Sequence, residues 1–389
     1  MKEKTVVYIH TGYWPSNSPS MTFSTMTCMG LASENEHCHF FIKRNSNKSS
    51  VEVFNSVFNL QIPANLHIHQ VGPKFLVKSN FLFFFCVLFW VSLINHRYKI
   101  EALITRSNSF LKFLYILKTI FNTIALFETH DFYSDLSLRN DIVISRKKRF
   151  QKLENHYIPK MDGVICLQNS QINLYKKVYP NQNFFLCRTG LIQHEIIMDK
   201  FKKYITYIGS FDKHKGIETI LKALNEYQDS PELLLIGGKN KSDIDSMKAL
   251  IHKYNLIDKV TITGWINKNE MESFLKQTLL GIVPLNNNFF NRYLTSPLKL
   301  FDFISYGIPV IVSDLPVCRE LIEEDVNGYY FEPDDYMNLA KKLKEVTENI
   351  EELSKISDNV RLKAKQLTWQ QRARSINKAI FSLISKLKE

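Results

Sequence analysis

No two cysteines in this 389-residue chain stand at a metal-binding spacing. The six (Cys28, Cys38, Cys86, Cys166, Cys187 and Cys318) are scattered among mostly apolar neighbours, with no C-x-x-C and no Cys/His pair at metal-ligand spacing. That argues against a zinc module and predicts buried free thiols in a reducing compartment. No P-loop order G-x-x-x-x-G-K-[ST] occurs, no H-E-x-x-H, and no defensible Ser/His/Asp order. Nothing supports the paired carboxylates of a glycosidase. There is no short repeat and no low-complexity tract. The N-terminus, M-K-E-K-T-V-V-Y-I-H, carries an acid and only a short apolar run. It reads as a first strand and not as a signal peptide.

Acidic residues are also in deficit. Asp and Glu number 38 against 50 Lys and Arg, for a formal net charge of +12. Such an excess favours anionic partners: nucleic acid, acidic lipid or phosphorylated substrates. The basic residues are spread along the chain and match no nucleic-acid motif, so nucleic acid is not an expected partner.

What is present describes a folded chain, with 45% hydrophobic and 23% charged residues. Its length predicts two domains. Up to about residue 190, short β-branched and apolar runs alternate with helical stretches. A second such series starts near Tyr204. Both predict parallel sheets covered on two faces, with a cleft between the halves and ligands at the carboxyl ends of strands. The most apolar segment, Phe81 to Ile94, reads F-L-F-F-F-C-V-L-F-W-V-S-L-I. It is shorter than the roughly twenty residues that span a bilayer. It reads as a buried core helix, or as a helix seated in a membrane interface, with Lys74, Lys78, Arg97 and Lys99 as basic flanks. Trp369 to Leu387 repeats its apolar residues at helical spacing.

Four stretches carry chemistry. Tyr293 to Pro309 reads Y-L-T-S-P-L-K-L-F-D-F-I-S-Y-G-I-P. Ser296 suits an N-cap, Pro297 a first helical position and Gly307 a left-handed stop. The spacing predicts a helix of about three turns. Lys299 and Asp302 share one side of it, and its free amides suit phosphate while the carboxylate suits sugar hydroxyls. An ordinary capped helix with one ion pair fits the same residues. Gly209 to Gly216 (G-S-F-D-K-H-K-G) puts Lys213, His214 and Lys215 before a helix, which suits a diphosphate or is merely a solvated basic turn. Glu128-Thr129-His130-Asp131 ends a strand, and His130 there could bond a sugar hydroxyl or be structural. Gly12 follows the first strand, as a ligand approach or as a turn glycine.

In order, G-S-F-D-K-H-K-G, L-L-L-I-G-G, T-G-W, T-S-P-L-K-L-F-D-F-I-S-Y-G-I-P-V-I-V-S-D, E-L-I and N-G resemble the family 4 glycosyltransferases of the GT-B fold. The likeness is to the bacterial enzymes that build capsule, O-antigen or exopolysaccharide. It covers residues 204 to 333 well, and the first half only in layout and through E-T-H-D. The resemblance implies an α/β, GT-B architecture of two Rossmann-like domains. Residues 1–195 would bind acceptor, 196–367 would bind donor, and 368–389 would form a helix packing back on the first domain. It implies retaining transfer from a nucleotide-diphosphate sugar to a lipid-linked saccharide, with no cofactor and no required metal. The setting would be cytoplasmic, peripheral on an anionic inner membrane face.

By position in the family, Gly209, Ser210, Lys213 and Lys215 would lie at the donor diphosphate. Ser296, Pro297 and Leu298 would hold phosphate through their backbone, with Lys299. Asp302 would hold the ribose. His130 would face the transferred sugar as the catalytic residue, and Gly12 would lie beside diphosphate or acceptor. Three positions depart from the pattern. Ser210 stands where an arginine is frequent, and Leu294 where a glutamate is frequent. Ser18-Pro19-Ser20 replaces a glycine pair. The same motifs also admit a nucleotide-sugar epimerase or a sugar phosphorylase. The charge alone admits a non-enzymatic, membrane-associated binding protein.

Overall fold

The computed structural model describes residues 3–14, 16, 18–44, 52, 54, 60–72, 79–194, 202–212 and 215–387. These form two compact units. One holds the chain up to Gly190 together with everything from Trp369 onward; the other is Leu191–Thr368.

The first unit is a parallel sheet of β1 (Lys4–Trp14), β2 (His37–Arg44), β3 (Leu66–Val71), β4 (Lys99–Thr105), β5 (Ile124–Glu128), β6 (Gly163–Cys166) and β7 (Phe184–Leu186). Their order across the sheet is 3-2-1-4-5-6-7. The inner strands are runs of Val, Ile, Leu and Phe because helices cover both faces. The order reverses between β1 and β4, which is where open α/β sheets leave space for ligands. β1 does not stop at His10. A register irregularity between Ile9 and Tyr13 carries it past Gly12, so that Tyr13 pairs with Lys43 and Trp14 with Arg44. Gly12 therefore lies in a bulge and not in a loop.

Helix α1 (Pro19–Glu34) explains one departure from the family pattern. Ser18 caps it by accepting the Met21 N–H at 3.3 Å, and Pro19 takes the first position. A glycine pair here would forgo that cap. The last helix, Trp369–Lys386, packs on α1. A Cβ on Gly30 would lie 2.4 Å from the Trp369 carbonyl oxygen, so the two helices meet at a residue without a side chain. Its Ala373, Ile376, Ile380 and Leu383 are buried.

Helix α2 (Asn80–Arg97) contains the apolar run and extends it to 18 residues. By length and composition alone it is apolar enough to cross a membrane, yet it packs along one side into the first unit. Phe83, Phe84, Val87, Val91 and Ile94 are buried, with Phe84 stacked 4.9 Å from Phe113. Phe81, Phe85, Phe89, Trp90 and Leu93 face solvent. The buried-core expectation thus holds for one face only. Arg97 and Lys99 are exposed at its end, whereas Lys74 and Lys78 lie outside the described residues.

The second unit is a parallel sheet of β8 (Tyr204–Gly209), β9 (Glu232–Gly237), β10 (Val260–Gly264), β11 (Thr278–Val283), β12 (Val310–Ser313) and β13 (Tyr329–Phe331), in the order 10-9-8-11-12-13. All six cysteines are free, and all but Cys86 are buried.

Candidate functional site

In the second unit the order reverses between β8 and β11, and the glycine turn sits at that point. Gly209 and Gly237, the last residues of neighbouring strands, have φ of +155° and +152°. A Cβ on Gly237 would lie 1.8 Å from the Gly209 carbonyl oxygen. The turn is braced internally. The Tyr207 hydroxyl donates to the Ser210 carbonyl at 2.8 Å, Ser210 Oγ donates to Asp212 at 2.6 Å, and the Lys215 N–H donates to the Asp212 carbonyl. Ser210 therefore serves the turn's own shape. Lys215 is exposed; Lys213 and His214 lie outside the described residues. Gly216, at φ +70°, starts the helix Ile217–Glu226. A Cβ there would lie 1.9 Å from the carbonyl oxygen of Pro284, the residue after β11. Only glycine lets the turn close onto that strand end.

The helix that leads into β12 is shorter than its punctuation predicts. It runs Leu298–Ser305. Its cap position is Pro297 and not Ser296, because the Pro297 carbonyl accepts the Leu300 N–H at 2.8 Å and Pro297 has a non-helical ψ of 90°. The start thus falls one residue late, and the backbone of Ser296 and Pro297 precedes the helix. The stop is as expected. Gly307 is left-handed at φ +68°; its N–H bonds the Ile304 carbonyl, and the Ile308 N–H bonds the Phe303 carbonyl, a Schellman motif. Lys299 and Asp302 form an ion pair at 3.3 Å, with side chains 45% and 38% exposed. Partial burial pushes the Asp302 carboxyl above its usual range, countered by Lys299 and by His194. His194 was not foreseen. Its ring stacks 4.3 Å from Tyr306 and its N–H bonds the Ser305 carbonyl, so it braces the end of the same helix. Leu294, in place of the family's frequent acid, is buried. Apolar packing there leaves Asp302 as the carboxylate of this segment.

In the first unit, β1, β4 and β5 bring His10, Arg106 and His130 to neighbouring carboxyl ends. His10 Nδ1 accepts the Gly12 N–H at 2.8 Å, and its Nε2 meets Ser20 Oγ at 3.0 Å. Gly12 is pressed against this ring: a Cβ on it would lie 2.5 Å from His10 Cε1. Burial and the Arg106 guanidinium lower the His10 pKa to about 3 and that of His130 to about 4. Both are neutral at pH 7, and His130 Nδ1 is buried with no hydrogen-bond partner among the described residues. A neutral imidazole with an open nitrogen can donate to or accept from a sugar hydroxyl. Below them lies Glu128, fully buried, held by Arg372 at 2.8 Å and by the Tyr8 hydroxyl at 3.2 Å. Sequence reasoning missed Arg106 and Arg372, since nothing local marks a lone arginine as buried. Among the described residues no group of three His, Cys, Asp or Glu could hold a metal ion.

Residues 192–363 match the profile of the family described as Glycosyl transferases group 1. Within that segment, less than half of the chain, the sequence is similar to the group 1 glycosyl transferases. Its fold resembles that of the sucrose-phosphate synthase of Thermosynechococcus elongatus, with a TM-score of 0.75 over 99% of this chain and 100% of that one, at 16% identity. Over 199 residues the chain is 27% identical to the chitobiosyldiphosphodolichol beta-mannosyltransferase of Debaryomyces hansenii, covering 46% of this chain and 41% of that one. Over 168 residues it is 24% identical to an O-antigen chain mannosyltransferase of Salmonella typhimurium, covering 43% and 45% respectively. The matches span less than half the length of these relatives.

Proposed function

We propose that this chain is a glycosyltransferase that moves a sugar, with retained anomeric configuration, from a nucleotide-diphosphate sugar to a lipid-linked saccharide in surface-polysaccharide synthesis. One observation carries the donor assignment. Lys299 and Asp302 are half-exposed on the first turns of a helix that starts at the carboxyl end of the sheet, in the unit whose β8 turn closes on Pro284. Helix amides and Lys299 suit the departing diphosphate, and Asp302 suits a ribose diol. Lys215, exposed at the turn, would add charge to the diphosphate.

Chemistry on this reading is electrostatic. Fixed amides and ammonium groups stabilise the charge that grows on the leaving diphosphate, and the leaving phosphate takes the acceptor proton. Neutral His130 orients the transferred sugar. No protein nucleophile and no metal enter the scheme.

The names of two relatives, one acting on a dolichol-linked substrate and one on O-antigen chains, support a lipid-linked acceptor. The exposed aromatic face of α2 supports a peripheral seat on an anionic cytoplasmic membrane face. Beside it lies a cavity of about 530 Å³, lined by Phe85, Phe89, Trp90, Val71, His69 and Arg44.

A panel of nucleotide sugars, assayed with and without a lipid-linked oligosaccharide and with the product linkage read by NMR, tests the proposal. Nucleotide release that requires the acceptor, with an α-linked product from an α-linked donor, is expected. Acceptor-independent release with an epimerised sugar would overturn it, as would an inverted linkage for the retaining part.

A further inference from the structure

Arg106 carries a buried charge that the fold leaves without a hydrogen bond at Nε and Nη1 among the described residues. It follows the last residue of β4 and is buried. Its guanidinium lies 4.0 Å from the ring centre of Phe23. Its nearest carboxylate oxygen is Glu128 Oε1, 3.9 Å from Arg106 Nε, too far for a hydrogen bond. Arg106 Nε, Arg106 Nη1 and Glu128 Oε1 are all buried without a hydrogen-bond partner among the described residues. The other Glu128 oxygen is committed to Arg372 and Tyr8.

One buried carboxylate thus faces two buried guanidiniums. Arg372 is fully engaged, donating to Glu128, to Thr27 Oγ1 and to the carbonyls of Cys187 and Arg188. Tyr8 stays protonated, its pKa raised by burial and by Glu128. Asp131, next to His130, is paired with Arg139 at 2.6 Å. His10 and His130 are neutral. The cluster therefore keeps a net positive charge, with open donors on Arg106 and an open nitrogen on His130. A buried charge without hydrogen bonds at these atoms, sharing one carboxylate with a second guanidinium, is unfavourable in the empty protein and becomes favourable when an anion meets it. A guanidinium fork with free N–H groups matches phosphate geometry.

We propose that Arg106, with His130 beside it, binds a phosphate group of a ligand at the carboxyl ends of β1, β4 and β5. The residues of this site all belong to the first unit. The inference rests on the transfer reading only for the source of that phosphate: the nucleotide donor or the diphosphate of the lipid-linked acceptor.

The test uses the full chain with isotope-labelled histidine, the His130 imidazole resonance being assigned with His130→Gln. Adding inorganic pyrophosphate at pH 7 should move that resonance in the wild type and leave it in place in Arg106→Met. Because Met keeps the volume and removes the charge, Arg106→Met should have an unchanged or higher melting temperature without ligand. Arg372→Met, which removes the hydrogen bonds to Glu128, Thr27 and the Cys187 and Arg188 carbonyls, should melt lower. Should Arg106→Met fail to fold, Arg106→Lys decides: a pyrophosphate affinity at least tenfold weaker supports the site, and an unchanged affinity overturns it. No response of His130 in the wild type, or an equal response in Arg106→Met, also overturns it. Repeating the titration with UDP, GDP and farnesyl diphosphate names the source. A failure of these three with pyrophosphate still active would sink the transfer reading and leave the anion site standing.

Discussion

Arg372 donates to Glu128 at 2.8 Å across 244 residues of sequence, with their side chains only 1% and 0% exposed. The last helix thus plants a guanidinium under the strand ends of the first unit. Removing Arg372 takes away the hydrogen-bonded partner of Glu128, leaving only Arg106 at 3.9 Å, and strips Thr27 and two carbonyls of their donor, which together cost about 3–5 kcal/mol. Arg372→Ala should lower the urea midpoint accordingly. A midpoint within error of wild type would show that the pair is not part of what holds this unit together.

Asp302→Ala separates binding from folding. Its pair with Lys299 is more than a third exposed on both sides and contributes no more than about 1 kcal/mol. The melting temperature should hardly move, while affinity for the nucleotide should drop at least about tenfold, near 1.4 kcal/mol. Unchanged affinity, read by calorimetry with UDP and GDP, would remove the donor assignment.

Gly216→Ala should damage both. Its φ of +70° strains any side chain, and the added Cβ would meet the Pro284 oxygen at 1.9 Å. Strain of this kind costs about 1–3 kcal/mol, and the turn must also pull away from β11. Reduced melting temperature together with weaker nucleotide binding is expected. A variant with native values for both would mean that the turn tolerates opening.

Acid should destabilise the first unit. His37 and His39 on β2 face His67 and His69 on β3, with His39 Nδ1 2.9 Å from His69 Nε2. Burial and the neighbouring rings lower the His39 pKa to about 3 and that of His69 to about 4. His10 and His130 are lowered too. Their unfolded value is about 6.5. Between that value and pH 3–4 the unfolded chain binds more protons. Stability is full above about pH 6.5 and falls as pH drops, by up to about 1.4 kcal/mol per pH unit for each group. Buried Glu154, raised to about 7, opposes this above pH 4.5, as a single group against several histidines. Denaturation curves between pH 7 and 4 should show the loss, and His39→Gln should flatten it. A stability flat across this range would contradict the neutral, buried array.

The aromatic face of α2 should bind lipid. Flotation with anionic liposomes should carry the wild type upward, and Phe85→Ser with Phe89→Ser should leave it behind without changing its melting temperature, since both side chains are exposed. Equal flotation of both proteins would assign membrane contact elsewhere.

Much of this was legible in the amino-acid order, because it depends on neighbours along the chain. The Val, Ile and Leu runs that alternate with helical spacing specify parallel strands buried on both faces. Asn267 and Glu270 form the capping box their spacing predicts. Gly307 stops its helix because only a residue without Cβ sits easily at φ +68°. The start of that helix was one residue off, since Ser296 and Pro297 both suit the end of a helix and only the Pro297–Leu300 hydrogen bond decides between them.

Tertiary structure alone decided the rest. An apolar helix such as α2 carries no sign of which face packs, and the sheet chose Phe83, Phe84, Val87, Val91 and Ile94. Arg106, Glu128 and Arg372 come from distant segments, and the fold brings them into one buried cluster with unequal charge. Local sequence sets backbone conformation. Burial and net charge at a point are sums over everything packed around it, and only the folded chain performs that sum.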